Sequence, residues 1–201
     1  MKILCIGKNY LDHAKEMNSQ VPKNPMVFMK PSTALNPDNK LTYPDFTSNL
    51  HYELEIVIGI SKIAKNVDVE EASNYYDKIG LGIDFTARDI QAKCKEKGHP
   101  WERAKAFDNS ASLSEWRPKE SYNLKNLNFS LLLNDKEVQK GNSNKMIFNI
   151  NTIISYTSQF FTLEPEDLIF TGTPAGVGPV KAGDQLQGYL EGELLLNVSI
   201  I

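Results

Sequence analysis

Tyr52-Glu53-Leu54-Glu55-Ile56-Val57-Ile58-Gly59 is the stretch on which the reading of this chain turns. Its period-two alternation predicts a strand. Tyr52, Leu54, Ile56 and Ile58 form a core-facing set, while His51, Glu53, Glu55, Val57 and Gly59 share the other face. Glu53 and Glu55 therefore point the same way, with Cα atoms roughly 6.5–7 Å apart. By itself a Glu-x-Glu fits a solvated sheet face better than a site. A third carboxylate changes the balance. Asp84 ends the apolar run Ile79-Gly80-Leu81-Gly82-Ile83 at a strand-to-helix junction, where alone it would serve equally as a turn or cap residue. Together the three make an oxygen-rich set suited to a hard divalent cation, magnesium or manganese (Mg2+ or Mn2+), completed by water and substrate oxygens.

Working outward, Lys2 to Ile6 reads as a strand and Gly7-Lys8-Asn9 leads into a short helix through about Met17. Residues 18 to 44 carry five prolines (Pro22, Pro25, Pro31, Pro37 and Pro44) around one extended run, Met26 to Lys30, and are read as a loop or lid. Val69 to Asp77 looks helical, and Ile79 to Phe85 is extended. Thr86 is placed to cap a helix that Gly98-His99-Pro100 stops. Leu127 to Leu133 and Glu137 to Lys140 form a hairpin around Asn134-Asp135-Lys136, Asn151 to Phe161 has helical spacing, and short strands fill the remainder. The pattern is that of one strand-rich α+β domain over residues 1–201.

The bulk composition narrows the function. With 201 residues and 41% hydrophobic content, the chain can bury one substantial core. Its 25 acidic and 22 basic residues are dispersed and sum to −3, so it carries no footprint for nucleic acid or an anionic membrane. A small-molecule partner is expected. No run of eighteen apolar residues occurs, and the apolar start after Met1 is too short for a signal-peptide core. Cys5 and Cys94 have neither metal spacing nor disulfide density, so reduced thiols and a cytoplasmic location are expected.

A second pair of residues carries proton chemistry. His13 and Glu16, three apart on a helix, share a face, and the glutamate can orient the imidazole as a base near neutral pH. Taken alone, a surface ion pair explains them as well.

Six blocks in order, Gly7-Lys8-Asn9-Tyr10-Leu11-Asp12-His13, Phe28-Met29-Lys30-Pro31-Ser32, Glu53-Leu54-Glu55, Gly82 to Gln91, Lys105-Ala106-Phe107-Asp108 and Thr171 to Gly178, resemble the fumarylacetoacetate hydrolase family. The likeness spans essentially the chain and is nearest to the short acylpyruvate hydrolase and oxaloacetate decarboxylase or tautomerase members. It implies a layered β-roll with a few short helices, usually a homodimer, with a lid over the site. It also implies Glu53, Glu55 and Asp84 as metal ligands, His13, Glu16, Lys105 and Gln91 as catalytic residues, and Lys8, Lys30, Arg88 and Thr173 as substrate-binding residues. Lys8 stands where many relatives have arginine, which keeps the charge but loses the two-pronged grip on a carboxylate. The lysine-rich segment 94–103 receives no role.

The implied chemistry is metal-dependent hydrolysis of a carbon–carbon bond in acylpyruvates, or decarboxylation or tautomerisation of oxaloacetate, through a metal-bound enolate of a 2-oxo acid. A hydratase or isomerase of aromatic-compound degradation, or a non-catalytic metal- or ligand-binding domain, remains the alternative.

Overall fold

The glutamate-bearing strand lies at the centre of a mixed sheet in the computed structural model, which describes residues 1–17 and 19–201. In chain order the elements are β1 (Ile3–Gly7), α1 (Leu11–Glu16), β2 (Met26–Lys30), β3 (Lys40–Leu41), β4 (Leu50–Tyr52), β5 (Leu54–Ile60) and β6 (Tyr76–Asp84). They continue with β7 (Thr86–Ala87), α2 (Arg88–Lys97), α3 (Glu102–Lys105), β8 (Ala111–Leu113), β9 (Arg117–Pro118), β10 (Asn128–Leu133), β11 (Lys136–Asn142), α4 (Ile150–Phe160), β12 (Leu168–Phe170), β13 (Gly178–Pro179), β14 (Gln185–Leu190) and β15 (Glu193–Ile200). The larger sheet runs β2-β1-β12-β5-β6-β8 with β9 on β6; the second runs β11-β10-β14-β15-β3, and β13-β4-β7 form a small third. This is the strand-rich α+β architecture that the alternating pattern predicts.

Every residue of β5 is buried. Leu54, Ile56 and Ile58 enter the main core with Leu131, Leu186 and Val198 from the second sheet. The opposite face is packed too, since Val57 meets Ile3, Cys5 and Phe170 in a second cluster. The solvated outer face that the glutamates suggest on their own is thus absent from this strand. Glu53 and Glu55 are buried polar groups that must find partners.

Three local expectations need correction. Thr86 does not cap α2: it lies in β7 and its hydroxyl donates to Glu53 Oε1 at 3.2 Å, while Ala87 holds the cap position. The stop is as expected, with Gly98 in the left-handed region at φ 64°. The helix expected over Val69 to Asp77 shrinks to a 3-10 turn at Ala72–Tyr75, because Tyr76 is already paired with Ile60. Finally, the proline-rich segment is no free lid. Met26–Lys30 pairs along β1, and beyond Pro31 the chain is fastened to β8, Asn36 N–H donating to the Ala111 carbonyl at 2.7 Å and Asn39 Nδ2 to that of Leu113 at 3.0 Å. The part of this expectation that falls on Asn18 lies outside the described residues. The 128–142 hairpin turns on Asn134 and Asp135, both at positive φ, as a tight two-residue turn requires.

Candidate active site

Strand register brings the three carboxylates together. Leu54 pairs with Ile83 and Glu55 with Gly82, so the next step along the antiparallel ladder sets Glu53 against Asp84, whose N–H donates to the Glu53 carbonyl at 2.9 Å. Gly82 opposite Glu55 matters as well. A Cβ there would lie 2.5 Å from the Phe170 ring and 2.7 Å from Val57, so the position admits no side chain beside the carboxylate. One carboxylate oxygen from each of Glu53, Glu55 and Asp84 lies within 4.8 Å of the other two, and the residues are 6%, 2% and 0% exposed.

Cations surround two of the three. Lys105 Nζ lies 2.9 Å from Glu53 Oε2 and 2.6 Å from Asp84 Oδ2, and Arg88 Nη2 donates to Glu53 Oε1 at 2.6 Å. Burial alone would raise the Glu53 carboxyl, but Lys105 and Arg88 outweigh it and hold the group well below the usual carboxylate range. Among the described residues Glu55 pairs with no cation and accepts only the Gly172 N–H at 2.6 Å. Burial, then the charges of Asp84 and Glu53, push its carboxyl well above the usual range. Asp84 Oδ1 is buried without a hydrogen bond; Lys30 Nζ stands 2.8 Å away as an ion pair, outside hydrogen-bond geometry. An under-neutralised glutamate and an aspartate oxygen with a lone pair to spare, in an all-oxygen donor set, fit a hard divalent cation.

The remaining expected residues fall into place around this set. His13 is buried on α1, its Nδ1 3.1 Å from Glu16 Oε2, and Glu16 Oε1 accepts the Gly176 N–H at 3.1 Å. With Nδ1 engaged, Nε2 is the free ring nitrogen. Gln91 Oε1 accepts from Arg88 Nη1 at 2.7 Å, which leaves the amide hydrogens of this cleft-lining residue unengaged among the described residues. The cleft is lined by Lys8, His13, Arg88, Gln91, Lys105 and Thr173 together with the three carboxylates, and its apolar wall is Met26, Phe28 and Trp101. Lys30 is the exception to the implied substrate contacts. It is buried behind Asp84, donates to the Lys105 carbonyl and to Ser110 O and Oγ at 3.1 and 3.0 Å, and does not line the cleft.

Two positioning side chains carried no signal in the sequence. Gln139, buried in the hairpin, accepts from Leu54 N–H at 2.9 Å and donates to Thr173 Oγ1 at 2.8 Å and the Pro174 carbonyl at 3.0 Å, tying the glutamate strand to the glycine-rich loop. Asn9, fully buried, bonds Phe148 through both its carbonyl and amide and the Thr171 carbonyl through its amide, which fixes the turn from β1 into α1. The loop itself needs glycine at Gly172, where φ is 101° and a Cβ would come 2.7 Å from Asn9.

Comparison with known proteins places the chain among its relatives. The profile described as fumarylacetoacetate (FAA) hydrolase C-terminal matches residues 2–198. The chain belongs to the fumarylacetoacetate hydrolase family. Within it, the mitochondrial oxaloacetate tautomerase of Bos taurus is 43% identical over 200 residues, covering 98% of this chain and 90% of the relative. The oxaloacetate tautomerase of Escherichia coli is 40% identical over 197 residues, covering 96% and 90%. Among solved structures, fumarylpyruvate hydrolase from Pseudomonas aeruginosa, in complex with Mn2+ and pyruvate, superposes with a TM-score of 0.95 at 35% identity, covering 100% of this chain and 89% of that one. Fumarylacetoacetate hydrolase family members with named activities are thus enzymes of more than one reaction type, on the fold described here. No helix among the described residues is long and apolar enough to cross a membrane.

Proposed function

We propose that this protein is a divalent-metal-dependent enzyme that interconverts the keto and enol forms of oxaloacetate or a close 2-oxo acid. The observation that carries the reading is the arrangement of Glu53, Glu55 and Asp84 across one cleft from the His13–Glu16 pair. A magnesium or manganese ion held by the three carboxylates supplies electrophilic stabilisation where enolate charge develops. His13 Nε2, with Glu16 supporting the charge that forms on the ring, takes the proton from C3 and returns it to oxygen or carbon. Lys105 and the Gln91 amide face the developing oxyanion. Thr173, held by Gln139, donates its hydroxyl hydrogen to the substrate carboxylate. Arg88 keeps Glu53 ionised and Gln91 oriented. The nearness of two oxaloacetate tautomerases supports this choice of reaction.

The same pair supports a second reading, hydrolysis of acylpyruvates, favoured by the likeness to fumarylpyruvate hydrolase. There His13 takes a proton from water, the hydroxide adds to the distal carbonyl, and cleavage of the carbon–carbon bond gives a carboxylic acid and the enolate of pyruvate, which is then protonated. Both readings place one catalytic domain over residues 1–201, working as a homodimer. Offering the purified, magnesium-loaded protein oxaloacetate, acetylpyruvate and fumarylpyruvate separately, with enol absorbance and pyruvate release followed together, tests them. Loss of enol absorbance without pyruvate marks the tautomerase, pyruvate release marks the hydrolase or decarboxylase, and no metal-dependent change with any substrate overturns both. Light scattering in solution tests the dimer.

A further inference from the structure

Helix α2 carries three cleft-lining side chains at i, i+3 and i+7: Arg88, Gln91 and Lys95. That spacing keeps them on one helical face, and the rise of the helix spreads them over about 10 Å from the carboxylates outward. Their partners differ along the row. Arg88 is held by Glu53 and Gln91 is held by Arg88, whereas Lys95, at the outer end, is exposed and has no hydrogen-bond or ion-pair partner among the described residues. Lys93 and Lys97, on the same helix, do not line the cleft.

Lys8 approaches from the other wall. It sits between β1 and α1 at a φ of 59°, a left-handed conformation unusual for lysine, and it too lines the cleft without a partner among the described residues. Partial burial, then the charge of Lys95, lowers its affinity for a proton, so the two ammonium groups feel each other. Deeper in the cleft the cations are already matched, Lys105 by Glu53 and Asp84, and Arg88 by Glu53. Two like charges left unmatched at the lining of one cleft, on different elements, call for an anion beside them.

We propose that Lys95, with Lys8, is a specificity-determining residue that selects 2-oxo acids bearing a second carboxylate at the end remote from the oxo group. The inference rests on the proposed reading of the site as one for 2-oxo acids. The proximal carboxylate and oxo oxygen would lie toward the divalent cation that Glu53, Glu55 and Asp84 would hold, and the distal carboxylate reaches the rim. The contact is the same in ground and transition states, so it acts on KM more than on kcat.

A matched pair of unreactive ligands tests the inference without turnover: 2-oxopentanedioate and 2-oxopentanoate have the same carbon chain and differ in the terminal carboxylate. Their binding to the magnesium-loaded protein is read by calorimetry in wild type, Lys95→Gln, Lys95→Arg and Lys93→Gln. The expected result is a diacid preference of about fivefold, the range of a partly exposed ion pair, reduced toward unity by Lys95→Gln and by salt. Lys95→Arg and Lys93→Gln should retain it. Glutamine is a good helix former on an exposed helical face, so the variant folds. A wild type that binds both acids equally, or a preference that survives Lys95→Gln, overturns the selection by Lys95 and leaves the proposed chemistry standing. Failure of both acids to bind the wild type overturns the 2-oxo acid reading itself.

Discussion

The Gly176 amide donates to Glu16 Oε1 at 3.1 Å across 160 positions of sequence, so the carboxylate beside His13 is also fastened to the glycine-rich loop that carries Thr173. Glu16 therefore has two separable duties. Glu16→Gln keeps an acceptor for Gly176 but removes the charge that supports the imidazolium, so kcat should fall while KM stays close to wild type. Glu16→Ala loses both, and KM should rise as well. Steady-state kinetics on the two variants side by side decide it; identical behaviour would leave the loop contact without a role in substrate binding.

Replacing His13 tests the base directly. His13→Ala should lower turnover by ~10²–10⁴-fold, the usual contribution of a positioned acid–base group. Metal affinity, measured by titration calorimetry, should be unchanged, because no carboxylate of the Glu53, Glu55 and Asp84 set touches the ring in a hydrogen bond. Turnover within a few-fold of wild type would return His13 and Glu16 to a structural pair.

Glu55 carries a pH prediction whose sign is fixed by its raised carboxyl. A group that binds its proton more tightly in the folded state contributes stability that is complete below its unfolded value, near 4.5, and is lost as pH rises through the folded one. Metal-free protein should accordingly lose stability as pH climbs out of the acid range, and Glu55→Gln should flatten that slope and stabilise the metal-free form by on the order of 1–3 kcal/mol. The same variant should bind magnesium more weakly. Thermal unfolding against pH, with chelator and with metal, reads both; a destabilised Glu55→Gln in chelator would contradict the burial argument.

Lys105 should behave in the opposite way. Burial opposes its charge, but Asp84 and Glu53 outweigh burial and hold the ammonium firmly protonated. Lys105→Met removes the cation that two buried carboxylates share, leaving Glu53 with Arg88 and Asp84 with Lys30, a loss of up to about 3–5 kcal/mol in metal-free protein by analogy with other broken buried pairs. Added magnesium should restore part of that stability without restoring turnover. Equal destabilisation with and without metal would show that the cation does not reach Glu53 and Asp84.

The carboxylate triad was legible because it depends only on strand alternation and one ladder: Glu53 and Glu55 share a face by periodicity, and Asp84 ends the partner strand. The hairpin at Asn134-Asp135 and the stop at Gly98 were legible for the same local reason, left-handed backbone at residues that tolerate it. What could not be seen is whatever burial decides. The outer face of β5 reads as solvated until Cys5, Phe170 and Val57 close over it. Lys105 and Gln91 look like surface residues because their burial comes from packing of α2 and α3 against β2, β4 and β7, not from their own neighbours in sequence. Lys30 belongs to a block with the right residues and shares its face of β2 with the cleft-lining Met26 and Phe28, yet its ammonium is taken up by Asp84, Ser110 and the Lys105 carbonyl instead of reaching the cleft. Gln139 contributes one side chain from a distant hairpin, a contact with no periodic signature at all.

Because both faces of β5 are closed, a saturation scan along it should show failure of two kinds, loss of the fold at the apolar positions of both faces and loss of activity at Glu55. At Leu54, Ile56 and Ile58, polar substitutions should remove the protein from the cell, since each empties or wets the core between the sheets. At Glu55 a neutral substitution should leave abundance intact or higher while extinguishing activity, whereas at Glu53, just before the strand, it would leave Lys105 and Arg88 short of a partner and lower abundance as well. Plotted as yield against function, Glu55 would fall on a different axis from Leu54 and Ile56 on either side of it, a single functional position set into a strand that otherwise reports only on folding.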